Sequence, residues 1–497
     1  MLYVAAIVLA LSNFMAILDT TIANVSVPTI AGGLAVSPSE GTWVITSYSV
    51  AEAITVPLTG WLALRFGPVR VFTVAVACFG LFSALCGLAP SLGTLVLFRI
   101  LQGLSGGPMM PLSQTLMMTI FPPEKRAQAM GLWAMTAVVG PLAGPLLGGA
   151  ILDHLSWPWI FYINVPVAVG IFLAAPALVA RYETKIVKRP VDFVGLGLLI
   201  LWVGALQIML DKGEEVDWFN SPLIVALALT ALVGFFAFIF WEITQADPIV
   251  NLHLFRIPAF AIACAVIGLT FGAFFASVVL VPLWLQTSMG YNASWSGRVM
   301  ALQGVLAVLM APVVAQLSRK VDPRALGFFG VMTIAVVMVM RAGLSTQATF
   351  WNVATPQILL GMGVSFFFMP LNLIGIGALK PEQIAAGSGI TNFIRTCSGA
   401  IAVSLVTTNW TDGATKARVT LAGRLNADQT VSTMQKAGMT HGQALLSVDQ
   451  LTQQQAVMLS TDNMFMVLAV FAAVAAFTVW LAPKPSGPVQ MMGGGGH

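Results

Sequence analysis

Asp19 is the residue whose type and position most clearly point to chemistry. It follows residues 2–18, which are almost wholly apolar. An ionisable side chain inside a hydrophobic segment costs several kcal/mol, so it normally faces a cavity, a partner or an ion pathway. The alternative is that Asp19 marks the end of the segment at the far surface. Apolar residues continue to Pro28 and the next lysine or arginine is Arg65, which favours the first interpretation.

Three more ionisable side chains stand inside hydrophobic segments, namely Glu52, Arg99 and Arg395. Burial and a nearby arginine act in opposite directions on the protonation of a carboxyl group. A carboxyl held between these two effects, either Asp19 or Glu52, is therefore expected to exchange protons. The alternative for both arginines is a permanent structural ion pair.

The run at residues 140–149, G-P-L-A-G-P-L-L-G-G, combines two prolines with four glycines. Each proline removes a backbone hydrogen bond, and glycines allow close backbone contact, so this segment is expected to kink and pack tightly. A gate in a transporter and ordinary small-residue packing both explain the run. The residues concerned are Gly140, Pro141, Gly144, Pro145, Gly148 and Gly149.

The composition places the chain among multi-pass membrane proteins. Of 497 residues, 58% are hydrophobic and 8% are charged, whereas a soluble domain carries roughly 25% charged residues. The net charge of +4 is too small to suggest nucleic acid. The four cysteines lie in apolar runs without metal-ligand spacing, which predicts no metal site. No phosphate-binding glycine loop is present, so an ion gradient rather than ATP or a cofactor is expected to drive any transport.

Fourteen apolar stretches are long enough to span a bilayer as helices, which takes about 18 to 25 residues. An even count places both termini on one side. Lysines and arginines of the short loops fall mostly on that side, which predicts cytoplasmic termini. The stretches are 3–23, 42–63, 71–89, 93–118, 127–150, 159–180, 193–211, 221–243, 258–281, 297–318, 325–343, 351–374, 385–409 and 461–483.

The chain also repeats itself. The pattern P-E-x-x-A-x-x-x-G occurs at 123–131 and again at 381–389, an offset of 258, and residues 62–68 resemble 317–323 at an offset of 255. Segments 1–6 therefore repeat as 9–14, and parallel six-helix halves of this kind form transporters with a site at mid-membrane. The predicted all-α membrane fold has two six-helix bundles (1–180 and 258–483, the latter with a periplasmic loop at 410–460), two inserted helices (181–257) and a flexible glycine-rich tail (484–497).

These segments resemble the drug:proton antiporters of the major facilitator superfamily, fourteen-helix branch, and most closely the EmrB-type multidrug exporters. The resemblance rests on L-D-x-T-I-A-N-V-x-x-P at 18–28, R-x-x-Q-G at 99–103 and G-P-x-x-G-P-x-x-G-G at 140–149. Shorter stretches, among them L-Q-I-M-L-D at 206–211, also match, and together they cover nearly the whole chain.

The resemblance implies a major facilitator fold, a role for Asp19 in proton coupling, a role for Arg99 in proton transfer and a gating role for the 140–149 run. Two residues depart from the family pattern. Leu64 occupies the place where the cytoplasmic loop motif usually has an aspartate. The ion pair that this aspartate usually forms between the loop and a helix is therefore not expected in this half. Glu52 belongs to no matched motif and is either a second proton site or a contact for cationic substrates.

The resemblance also implies a bacterial inner-membrane location and two partners, a periplasmic adaptor protein and an outer-membrane channel. The polar stretch 410–460 is either the docking surface for the adaptor or a solvated loop without a partner.

The expected function is proton-driven export of hydrophobic or amphipathic drug-like compounds. The alternatives are a proton symporter for one polar metabolite and a membrane sensor or scaffold that transports nothing. An adaptable apolar wall with a few polar groups is expected around the substrate, although helix packing also explains each of its members. The candidates are Asn24, Gln102, Trp133, Phe274, Phe275, Trp284, Phe367, Phe368, Asn392 and Arg395.

Overall fold

A computed structural model describes residues 2–184, 186–187, 190–318 and 320–484, and within these ranges the chain is helical, with no strand. Of the predicted tail, only residue 484 lies inside the described ranges. The α-helices there are α1 Leu2–Gly33, α2 Pro38–Gly41, α3 Trp43–Thr55, α4 Thr59–Phe66, α5 Pro68–Gly87, α6 Leu92–Gly106, α7 Met109–Ile120, α8 Pro123–His154, α9 Trp159–Tyr162, α10 Asn164–Val179, α11 Phe193–Lys212, α12 Pro222–Thr244, α13 Pro258–Ser288, α14 Ala293–Leu317, α15 Pro323–Arg341, α16 Phe350–Gly375, α17 Ile384–Arg424, α18 Ala427–Lys436 and α19 His441–Thr478.

Eleven helices in the described ranges are long and apolar enough to cross a membrane, or twelve if α8, which bends by 42°, is one span. The predicted segments 42–63 and 93–118 are each divided between two shorter helices, α3 with α4 and α6 with α7. Pro57 and Pro108 lie at the two breaks, where the missing backbone N–H interrupts the helical hydrogen bonds. The chain is thus a multi-pass helical protein, and the count of fourteen spans stays a prediction.

The helices form two packed groups with a pair of helices beside them. Helices α1 and α3–α10 pack among themselves, as do α13–α19. The groups meet where α8 contacts α14 and α16, and where α17 contacts α4 and α7. Helices α11 and α12 pack on each other, and α11 also contacts α3 and α17. The first inserted helix therefore touches both groups at one edge of their boundary.

The sequence repeat has a structural counterpart in two close helix contacts. A Cβ atom on Gly103 of α6 would lie 2.5 Å from the carbonyl oxygen of Tyr48 on α3. A Cβ atom on Gly361 of α16 would collide in the same way with the carbonyl oxygen of Gln303 on α14. The two glycines are 258 positions apart and the two contacted residues 255, which are the offsets of the sequence matches. Both groups therefore need glycine at the same helix crossing.

The stretch 410–460 is helical rather than a loop, which corrects the sequence-based expectation. Helix α17 is 41 residues long, which corresponds to about 60 Å against a hydrocarbon core of about 30 Å. The polar ends of α17 and α19 form a hairpin closed by α18, and an ion pair of 2.6 Å joins Arg418 to Asp449. The stretch lacks proline, and Thr440 caps the start of α19 in a capping box with Gln443. Hydropathy shows that such a segment is polar but does not distinguish a solvated helix from a loop.

We predict that Gly103→Ala lowers the melting temperature of the purified protein in detergent. The added methyl group must push α3 away from α6, and overpacking of this kind costs about 1–3 kcal/mol. The control is Gly93→Ala on the same helix, where nothing lies within 4 Å of the added atom. Equal melting temperatures for the two variants would contradict the close crossing.

Candidate functional site

A buried ion pair joins the first helix to the sixth. Arg99 Nη1 on α6 lies 2.6 Å from Asp19 Oδ2 on α1, and the side chains are 0% and 1% exposed. Such a pair is stable only when its remaining polar atoms are also hydrogen-bonded, because both charges have lost their water. The surroundings of Asp19 and Arg99 therefore decide what the pair can do.

Two amide side chains complete the surroundings of the carboxylate. Gln102 Nε2 donates to Asp19 Oδ1 at 3.0 Å, and Asn164 Nδ2 on α10 donates to the same oxygen at 2.7 Å. Asn164 also donates to Ser83 Oγ on α5. The carboxylate thus accepts three hydrogen bonds that join α1 to α6 and α10, and Asn164 extends the network to α5.

The guanidinium of Arg99 is held by a different set of groups. Its Nε donates to the carbonyl oxygen of Val44 at 3.0 Å, and its Nη1 also donates to Gln102 Oε1 at 2.8 Å. Its plane lies over the ring of Tyr48, 4.2 Å from the centroid, which is a favourable position for a cation. Its Nη2 has no hydrogen-bond partner among the described residues. The hydrogen-bonding capacity of this guanidinium is therefore not fully used by the described residues.

Local sequence explains why these groups meet. Ser91 begins α6 with a capping box that includes Thr94. Arg99 and Gln102, three residues apart, lie on one face of that helix. Gly103 then lets α3 approach so closely that the backbone oxygen of Val44 reaches the guanidinium. The R-x-x-Q-G spacing is thus a requirement of the packing as well as of the chemistry.

A cavity of about 550 Å³ lies between the two helix groups, beside the ion pair. Helices α1, α3, α11, α13 and α17 form most of its wall. Six of the predicted functional residues line it, namely Asn24, Glu52, Pro141, Phe274, Phe275 and Arg395. Arg395 extends from α17, with its guanidinium 5.4 Å from the centroid of the Phe271 ring.

Helix α3 separates the cavity from the ion pair. Ile45, Ser49 and Glu52 line the cavity, while Val44 and Tyr48, on the neighbouring face of the same helix, contact Arg99. Helix α1 is divided in the same way, since Thr20 and Thr21 line the cavity and Asp19 does not. The ion pair and the cavity therefore contact different faces of the same two helices.

Several predicted cavity residues lie elsewhere. Gln102 is fully buried beside Asp19 instead of lining the cavity, because its position on α6 faces α1. The four aromatic candidates outside the cavity wall pack between helices, at most 1% exposed, and Trp133 Nε1 donates to Ser113 Oγ. As substrate contacts they stay predictions. The residues outside the cavity wall are Gln102, Trp133, Trp284, Phe367, Phe368 and Asn392.

The glycines of the 140–149 run pack α8 against α1. A Cβ atom on Gly140 would lie 2.5 Å from Ile17 Cγ2, and one on Gly148 would lie 2.9 Å from Val25 Cγ2. A Cβ atom on Gly144 would collide in the same way with the side chain of Thr21. These glycines recur every four residues, so one helix face makes the whole contact.

The other members of the run have different surroundings. Pro141 lines the cavity, Pro145 is exposed and Gly149 has nothing within 4 Å of an added Cβ atom. The expected kink is present as the bend in α8. The gating role of the run stays a prediction.

Polar contacts close the boundary between the groups beyond the deep end of the cavity. Gln114 Nε2 on α7 donates to Asn372 Oδ1 on α16 at 2.7 Å, and Asn392 Nδ2 on α17 donates to Gln114 Oε1 at 2.8 Å. Nearby, a Cβ atom on Gly60 would lie 2.7 Å from that of Ala386. The cavity is therefore closed on this side in the present arrangement.

Sequence reasoning missed three amides that organise the site, Asn164, Gln114 and Asn372. A signal for two of them was available. Gln114 and Asn372 are 258 positions apart, the offset of the repeat, so they occupy equivalent places in the two halves. If the two halves are related by an approximate two-fold axis, equivalent residues close to that axis can contact each other, as Gln114 and Asn372 do. Asn164 gave only the weaker signal of an amide in an apolar segment.

Comparisons with known proteins agree with this geometry. The family model of the Major Facilitator Superfamily matches residues 9–403. The chain is 41% identical to the multidrug export protein EmrB of Escherichia coli (strain K12), over 100% of this chain and 97% of that protein. It is also 41% identical to the fatty acid resistance protein FarB of Neisseria gonorrhoeae, over 98% and 97% of the two chains. The solved structure of the major facilitator proton:xylose symporter XylE has the same fold, with a TM-score of 0.60 and 13% identity over 97% and 96% of the two chains.

We predict that Arg99→Gln lowers the free energy of unfolding by about 3–5 kcal/mol, because it leaves the Asp19 carboxylate buried without a counter-charge. The double variant Asp19→Asn/Arg99→Gln should lose less than the sum of the two single losses. Reversible unfolding of the purified protein in detergent measures both. The control is Arg418→Gln, which breaks an exposed pair worth about 0–1 kcal/mol. Equal losses for Arg99→Gln and Arg418→Gln would show that the buried pair is not needed for stability.

We also predict that Gln114→Ala increases the population in which the two groups separate at the closed side. The substitution removes both hydrogen bonds of Gln114 across the boundary, worth about 0.5–1.5 kcal/mol each. Spin labels at the exposed positions Phe66 and Lys380 report that distance. The control is Gln450→Ala, on the exposed hairpin. An unchanged distance distribution in Gln114→Ala would contradict a gating role for this contact.

Proposed function

The chain belongs to the Major Facilitator Superfamily and, within it, to the EmrB-type multidrug exporters, and from this premise we propose that it exchanges protons for hydrophobic or amphipathic compounds by alternating access. It is a multidrug efflux transporter; the proton coupling is the part we propose. The observation that carries the proposal is the buried Asp19–Arg99 pair, one helix away from a cavity between the two helix groups.

In the proposed cycle, a proton reaches Asp19 and removes its negative charge. The attraction to Arg99 is then lost, while Arg99 keeps its bonds to Val44 and Gln102. Helix α1 is released from α6, and the opposite face of α1 carries Thr20 and Asn24 into the cavity wall. A change of charge at Asp19 therefore changes the shape of the cavity, which is the link that antiport requires.

The movement of α1 extends to α8 in this proposal. The two helices contact each other through Gly140, Gly144 and Gly148, where side chains of α1 fill the space above each glycine. Helix α8 in turn packs against α14 and α16 of the second group. The 140–149 run thus transmits the displacement of α1 to the boundary that must open and close.

The cavity suits amphipathic substrates. Phe274 and Phe275 give it an aromatic side, and Glu52 and Arg395 give it charges of both signs. The relatives named for multidrug export and fatty acid resistance support the same substrate class by analogy. In the predicted orientation the mouth of the cavity, near Thr42, faces the periplasm, so the present arrangement is the outward-open one.

The proposed assembly is a tripartite pump in the bacterial inner membrane. The chain would cross the membrane fourteen times with both termini in the cytoplasm, the divided helix pairs each forming one span. The hairpin of α17, α18 and α19 then projects into the periplasm, where a periplasmic adaptor protein docks and connects it to an outer-membrane channel. The projection of the hairpin beyond the bilayer thickness supports this role.

We predict that Asp19→Asn abolishes efflux driven by a pH gradient in everted vesicles, because the side chain no longer exchanges a proton. Binding of substrate by the purified protein should persist, since Asp19 is not in the cavity wall. The control is Asp217→Asn, at an exposed loop position whose left-handed backbone, with a φ of 59°, also suits asparagine. Full gradient-driven efflux in Asp19→Asn would exclude proton coupling through this residue.

A further inference from the structure

The first inserted helix contributes a wall of the substrate cavity. Gln207, Leu210 and Asp211 of α11 line the cavity, followed by Glu214 and Glu215 in the turn after the helix. The spacing of 207, 210 and 211 places them on one helix face. All three belong to the L-Q-I-M-L-D run at 206–211, to which the proposed mechanism gives no role.

The end of α11 is attached to both helix groups, so this wall is a fixed part of the site. Lys212 Nζ donates to the carbonyl oxygen of Ser39 at 3.2 Å and to Thr42 Oγ1 at 2.5 Å, and it pairs with Glu215 at 2.8 Å. On the other side, Ser404 Oγ of α17 donates to the carbonyl oxygen of Leu210 at 3.1 Å. The ammonium group of Lys212 is thus used at the rim and is not part of the cavity wall.

The cavity contains more acidic than basic side chains. Four carboxyl groups line it, those of Glu52, Asp211, Glu214 and Glu215, together with one guanidinium, that of Arg395. Arg395 is only 6% exposed, and its guanidinium lies over aromatic rings. Glu215 pairs with Lys212, which leaves Asp211 as the carboxyl group nearest the middle of the α11 wall. Gln207 Nε2 on the same helix donates to Asp211 Oδ1 at 3.2 Å, and the hydroxyl of Thr46 on α3 also hydrogen-bonds the Asp211 carboxyl.

The cavity also has an aromatic wall, formed by α13 of the second helix group. Phe271, Phe274 and Phe275 of α13 line the cavity, with Phe271 and Phe275 stacked at 5.5 Å. Aromatic faces attract cations as well as apolar groups. A cavity with aromatic rings from α13 and carboxyl groups from α3 and α11 fits a lipophilic cation better than a neutral compound of the same size.

We propose that Asp211 is a specificity-determining residue that contacts the positive charge of lipophilic cations in the cavity. This inference rests on the proposed export function and names a substrate class for the same site. The inserted pair of helices thereby contributes directly to substrate choice.

Two probes of similar size and shape test the proposal. Methyltriphenylphosphonium carries one positive charge, and triphenylphosphine oxide carries no net charge. Equilibrium binding of each to the full-length protein in lipid nanodiscs gives two affinities for wild type, Asp211→Asn, Asp211→Glu and the loop control Asp217→Asn. We expect Asp211→Asn to weaken binding of the phosphonium about tenfold, equivalent to about 1.4 kcal/mol, with the oxide unchanged. Asp211→Glu should restore most of the loss, and Asp217→Asn should match wild type.

Two binding results would overturn the proposal. Equal weakening of both probes in Asp211→Asn would assign the residue a structural role in holding α11, and unchanged binding of both would remove it from the site. Gradient-driven efflux of the phosphonium by wild-type vesicles separates this inference from the function on which it rests. Efflux with unchanged binding in Asp211→Asn rejects the role of Asp211 alone, whereas no efflux in wild type rejects proton-coupled export of this cation.

Discussion

The ion pair between Asp19 and Arg99, buried away from water, is the interaction on which the rest of this structure depends. Neither charge has contact with bulk water, so each must be compensated by protein groups. That need explains the amides of Gln102 and Asn164, and also the glycine that brings the backbone of α3 within reach of the guanidinium. Because the compensation is shared among several helices, a change in the charge of one atom pair alters the packing of a whole bundle.

The two halves of the repeat share this packing but not this chemistry. Gln357 and Gln303, at the repeat offsets from Arg99 and Tyr48, are joined by a hydrogen bond of 3.0 Å between neutral amides. The glycine crossing beside them is the same in both halves. The second half does contain a buried arginine, Arg341, which donates to Gln357. Among the described residues, the charge pair at the repeated crossing therefore belongs to the first half, and the two halves share their packing there but differ in charge.

The sequence allowed some of this to be predicted for clear physical reasons. A carboxyl group in a hydrophobic segment must find a partner, which led to Asp19 and Arg99. Gln102 was placed in the wrong surroundings because spacing along a helix shows which residues share a face but not what that face contacts. The divided helices at Pro57 and Pro108 look like continuous spans to any measure of hydrophobicity. The wall formed by Asp211 depends on contacts between distant segments, which local patterns do not contain.

Helix α17 runs through three regions of the protein. Along its 41 residues it contains the closed contact at Ala386, the cavity residue Arg395 and the hairpin residue Arg418. A continuous helix behaves as a lever arm. With a rise of about 1.5 Å per residue, a tilt of about 10° around Arg395 displaces the end at Arg424 by about 8 Å. A rocking motion of the second half would therefore displace the hairpin further than it displaces the residues of the cavity wall.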